Sequence, residues 1–162
     1  MASEAISSSI LLIGAVLGAA FLVTAILPAI FSAGDTFGTT SSMAENKIRT
    51  DFRIVNTFAN DDTVKIWMKN VGASQISVND VYKSDVFYGT SSSISRYTYS
   101  TSTPDPNEFT FTATLPAGNT YWDIGETLEI GMYHLTVPDD SLSFTFALPN
   151  SVRRAVTFGK TE

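Results

Sequence analysis

Between Ala5 and Gly34 the chain carries no charged residue, and from Ile10 to Phe31 nearly every position is apolar or small. A run longer than the roughly 18–20 residues that cross a bilayer's hydrocarbon core reads as a membrane-spanning helix. Beyond Asp35 the character changes to short alternating runs, turns and abundant Ser and Thr. One apolar helix carrying one polar β head points to a protein anchored or assembled through its N-terminal segment, and away from an enzyme. The expected fold is α+β: a long hydrophobic helix over residues 1–46, followed by an antiparallel immunoglobulin-like β-sandwich head over residues 47–162.

The helix has local support. Ser3 and the Ser run at 7–9 offer N-caps, and Glu4 places an acid at the favourable end of the helix dipole. Its body is apolar on all sides, as a lipid-facing or fully buried helix must be. Pro28 removes a backbone donor and is expected to kink it. Gly14 and Gly18, with Ala15 and Ala19 alongside, make a Gly-x-x-x-Gly pattern that lets two helix backbones approach, so these four are the candidate helix-packing residues. A cleaved signal peptide has a basic start and a shorter apolar run. Met1-Ala2-Ser3-Glu4 is not basic, so the segment is read as retained.

Charge and cysteine content narrow the function classes. A net charge of -6 without a Lys/Arg cluster argues against nucleic acid as a partner, because phosphate neutralisation needs clustered cations. Arg153-Arg154 reads as a solvated strand face. The absence of cysteine removes disulfides, thiolate catalysis and Cys-ligated zinc, leaving a packed core to stabilise the head. No catalytic residue, cofactor site or metal site is expected. His134, the one histidine, sits in a strand-like run and reads as a packed strand residue. Asn60-Asp61-Asp62, Asn79-Asp80 and Pro138-Asp139-Asp140 read as turns in which the side chains hold the backbone, with calcium binding as the weaker alternative. No Asn-x-Ser/Thr acceptor occurs.

From Lys47 the apolar period becomes two. Runs at Ile48–Val55, Val64–Lys69, Ile76–Tyr82, Phe109–Thr114, Leu128–Met132, Phe144–Leu148 and Ala155–Phe158 predict seven or eight half-buried strands. Gly89–Asn107, rich in Ser, Thr and Tyr, reads as a long loop or hairpin tip, with Tyr97 and Tyr99 as an alternative contact surface.

The opening MASEAISSSILLIGAVLGAA, the junction KIRTDFRIV and the strand VKIWMKNVG together resemble archaellum accessory proteins of the FlaG and FlaF type, in the archaellin-like, archaeal type IV pilin-like superfamily. The resemblance implies a head outside the cytoplasmic membrane near the surface layer, tied by its helix to the membrane or to a filament, in a stator-like role. It also implies partners among surface-layer or other archaellum proteins, met through exposed strand edges or sandwich faces, and self-association of the helix. Filament subunits of that superfamily carry a basic leader, and no Lys or Arg precedes Lys47 here, so an accessory subunit is expected. Two other readings stay open: the filament subunit itself, and a single-pass adhesin binding through Ile94–Tyr99.

Overall fold

The structure, a computed structural model, describes residues 2–101, 110–116 and 118–161. The chain divides into two compact units, one up to Ala44 and one from Glu45 onward. Helix α1 runs unbroken over Ala2–Arg49, 48 residues, with Pro28 inside it. Its large side chains are solvent-exposed along the whole apolar run, Phe21 at 73% and Leu11 at 74%. Exposed Ser and Thr hydroxyls along it bond back to carbonyls three or four residues earlier, as Thr24 Oγ1 does to Ala20 O at 3.1 Å and Thr36 Oγ1 to Ser32 O at 2.8 Å. This internal satisfaction is what an apolar surrounding demands of a polar side chain.

The second unit is a mostly antiparallel sheet domain. Its strands are β1 Phe52–Ala59, β2 Val64–Asn70, β3 Ile76–Ser77, β4 Asp85–Thr90, β5 Ile94–Tyr99, β6 Thr110–Thr114, β7 Tyr121–Trp122, β8 Thr127–Met132, β9 Leu142–Ala147 and β10 Arg153–Phe158, with a short helix α2 at Val78–Tyr82. Eight strands form one sheet in the order β1-β2-β8-β6-β5-β4-β9-β10, and β3 pairs with β7 apart from it. The large sheet consists of two antiparallel halves of four strands. Their strands pair where β5 and β6 run parallel, Thr98 opposite Thr110 and Tyr99 opposite Phe111. The halves share one core. Phe52 packs against Trp122 (ring centroids 5.7 Å) and edge-on against Phe146 (5.4 Å), and Phe111 meets Phe146 at 6.5 Å. The outer strands β1 and β10 also come together. Arg154 pairs with Asp51 at one end of this seam (2.5 Å), and Thr161 N donates to Ala59 O at the other (2.8 Å).

Several expectations are corrected. The period-two pattern expected from Lys47 starts at Phe52, because Lys47, Ile48 and Arg49 complete the helix. A bulge between Ile54 and Asn56 interrupts the pairing with β2 and leaves Val55 exposed. The run Ile76–Tyr82 is not one strand: after β3 the chain turns into α2, whose N-cap Ser77 accepts from Asn79 N at 3.3 Å. Asn79-Asp80 therefore lies in a helix and not in a turn. His134 is exposed, just past β8, with φ 56°. Gly89–Asn107 is not one loop, since Ile94–Tyr99 is a strand paired to β4. Tyr97 is buried and Tyr99 stacks on Tyr82 at 4.0 Å, which removes Tyr97 from any contact surface. Residues 102–107 of that segment, and Phe109, lie outside the described residues.

Burial leaves one polar cost in the core. Tyr88 is buried, and its hydroxyl has no hydrogen-bond partner among the described residues. Tyr88→Phe is therefore expected to stabilise the head by about 1 kcal/mol in urea melts, since an unmet buried hydroxyl costs that order. Burial, with neighbouring Tyr97, also pushes the Tyr88 hydroxyl up to about 12. Hydrogen bonds to Asp139 and then Asp61 raise the Lys160 ammonium to about 12. Both groups hold their protons more tightly folded than unfolded. Their contribution to stability is thus full below about pH 10 and is lost as pH rises through 12. The urea midpoint should be flat from pH 7 to about 10 and fall above it, less steeply in Tyr88→Phe.

Candidate functional site

Two features carry the functional argument: the unpartnered apolar helix and the residues that fix its last turn to the sheet. At a helix C-terminus the last carbonyls lack intrahelical partners. Here the loop after β2 supplies them. Ala73 N donates to Arg49 O at 2.7 Å and Ser74 Oγ adds a second bond at 3.3 Å. Thr50 caps Asn46 O with both its amide (3.0 Å) and its hydroxyl (2.7 Å). Val71 N and Gly72 N then both donate to Asp51 O, at 3.0 and 2.9 Å.

Asn70 is the centre of this clasp. It is fully buried, and its amide donates to Ser74 O and Trp122 O, both at 3.0 Å, while its Oδ1 accepts from Gly72 N at 3.0 Å. Asn70 O accepts from Gly125 N at 2.8 Å, where a φ of 83° gives Gly125 the left-handed conformation that the Asp123–Glu126 turn requires. Gly72 is needed for a different reason: a Cβ there would lie 2.5 Å from Asp51 N and 2.6 Å from Arg49 O.

Gly14, Ala15, Gly18 and Ala19 all lie exposed on α1, and a Cβ on either glycine would meet nothing within 4 Å. Their spacing puts Gly18 one turn above Gly14, and Ala19 one turn above Ala15. At the acidic turns the side chains work within the fold. Asn60 Oδ1 accepts from Thr63 N at 2.7 Å and Asp62 N at 3.2 Å, and Asp61 and Asp139 both pair with Lys160. Among the described residues no group of three or more His, Asp or Glu could hold a metal ion.

By its residue types alone, Asn70-Val71-Gly72 is a turn following the alternating run Val64–Lys69. Nothing in the local sequence shows that this glycine lies against backbone some twenty residues earlier. The Lys160 clamp is equally hidden, since it joins two distant turns, at Asp61 and Asp139, to the segment after β10.

A long apolar helix leading into a mostly antiparallel β-sheet head is the class of protein these elements define. The chain belongs to the archaeal-type flagellin family, whose family model matches residues 2–158, and it is archaellum-related. It is 32% identical over 160 residues to an uncharacterized protein of Archaeoglobus fulgidus, covering 94% of this chain and 96% of that one. Two solved structures share the fold at 20% identity and TM-score 0.55. One is the archaellum periplasmic stator protein FlaG from Sulfolobus acidocaldarius (67% of this chain, 99% of that chain). The other is the FlaF and FlaG stator protein complex from the same organism (66% and 87%).

Proposed function

We propose that this protein is a non-enzymatic accessory subunit of the archaellum, stator-like, held in the cytoplasmic membrane by α1 with its head outside. The observation that carries the reading is the likeness of fold to a solved FlaG chain, described as a periplasmic stator protein, 99% of which is matched by 67% of this chain. The helix supports it, being long and apolar enough to cross a membrane and free of side-chain burial. On this reading Gly14, Ala15, Gly18 and Ala19 form the face where α1 meets another helix, Pro28 bends it, and the head meets surface-layer or other archaellum proteins.

A second reading, the filament subunit itself, is favoured by one observation. Exposed apolar residues continue past the uncharged run, at Phe37, Met43 and Ile48, where a lone anchor has no need of them. In a filament such side chains would be buried at roughly 25 cal/mol per Å². The test is fractionation of the full chain in an archaeal host. An accessory subunit stays in the membrane until detergent is added and gives no fibres by electron microscopy. Fibres sheared from cells that contain this chain along their length would replace the first reading with the second.

A further inference from the structure

We propose that the junction end of the head holds an anion-binding groove for phosphate-bearing groups, formed by Lys47, Lys83 and Arg153. The three cations line a concavity of about 530 Å³ whose other walls are Asp85, Ala147 and the turn Leu148–Ser151. Register explains the hollow. Asp85, Ala147 and Arg153 lie side by side across β4, β9 and β10, so the small Ala147 leaves a gap between two longer side chains. Neighbouring strands are about 4.8 Å apart, which sets the gap at about 9–10 Å between the outer two backbones, wide enough for a phosphate group.

The groove's charge is unbalanced. Its one carboxylate, Asp85, is engaged by Arg96 from β5, with Nε at 2.7 Å and Nη2 at 2.5 Å. The neighbouring Arg154 is engaged by Asp51 (2.5 Å), and Arg49 by Glu45 (3.2 Å). Lys47, Lys83 and Arg153 are exposed and have no carboxylate partner among the described residues. A chain of net charge -6 thus gathers around one hollow three cations that are unpaired among the described residues, while the acid lining it is held by Arg96. Like charges so placed repel one another unless an anion joins them, and an Arg with two Lys suits the several acceptor oxygens of a phosphate. Lipid headgroups and soluble phosphates share that chemistry. The proposal does not depend on whether α1 anchors or polymerises.

The test uses the full chain in zwitterionic micelles, titrated with sodium phosphate, with short-chain phosphatidylglycerol and with short-chain phosphatidylcholine. The readout is the NMR shift of the arginine Nε–H groups, with Arg153 assigned by substitution. A saturable Arg153 shift is expected with one or both anions and none with phosphatidylcholine. Affinity should fall at least tenfold in Lys83→Glu, fall with added salt, and stay unchanged in Lys69→Gln, a cation on β2 outside the groove. Saturation by phosphatidylglycerol alone assigns a lipid headgroup, and saturation by sodium phosphate assigns a soluble anion. The absence of a saturable shift with either, or equal binding by a Lys83→Glu protein of unchanged melting temperature, overturns the proposal. Neither result bears on how α1 is held, which fractionation reads separately.

Discussion

Gly72→Ala is expected to lower the melting temperature of the head by about 10 °C, equivalent to about 3 kcal/mol for a domain of this size. The added methyl group would sit 2.5–2.6 Å from Asp51 N and Arg49 O, and both of those atoms are backbone. A clash with a flexible side-chain tip relaxes cheaply; a clash with two main-chain atoms has to move a strand or the loop. Moving the loop breaks the bonds from Val71, Gly72 and Ala73 to Asp51 and Arg49, so the helix end loses its caps in the same event. Gly159→Ala is the control: a Cβ there meets nothing within 4 Å, and the change should stay within about 0.5 kcal/mol. Thermal unfolding followed by circular dichroism separates the two. An unshifted Gly72→Ala protein would mean that the clasp yields freely and does not fix the junction.

Leu17→Arg is expected to lower membrane retention of the full chain by about a hundredfold, while the head keeps its melting temperature. The position lies near the middle of the uncharged run, and an arginine there costs about 2.5–3.5 kcal/mol on insertion scales. The cost falls on the helix, where the Leu17 side chain is exposed and outside the packed core of the head. The amount resisting a carbonate wash is the measure. Full retention would dismiss the apolar run as the anchor. If the chain instead builds a fibre, the same substitution should abolish fibres, since an unpaired charge would have to enter a packed core.

The sequence made the plan of the molecule legible where signals are local. The charge-free run from Ala5 to Gly34 announced the helix, and the alternation in Val64–Lys69 and Leu128–Met132 announced two paired central strands. Where the signal is local but ambiguous, it misled. Lys47-Ile48-Arg49 alternates like a strand, yet a helix already under way needs only capping to continue, and the loop after β2 caps it. Ile94–Tyr99 looked like loop because it lies in the Ser- and Thr-rich stretch Gly89–Asn107, but its two tyrosines supply the apolar area that holds it to the core. The clasp and the groove depend on residues brought together from far along the chain, so no window of sequence contains either. What could be read there was a list of parts: an asparagine and a glycine in a turn, and scattered lysines.

The seam between β1 and β10 bears on how such heads tolerate crowding. An open sheet offers its outermost strand to any neighbouring chain, and proteins presented densely risk being stitched together through those strands. Here the two outermost strands lie against each other and are pinned at both ends, by Arg154 to Asp51 and by Thr161 to Ala59. In copies packed shoulder to shoulder these two strands would face each other before they faced a neighbour. That shifts recognition between heads toward side chains, where a single substitution can tune or cancel it.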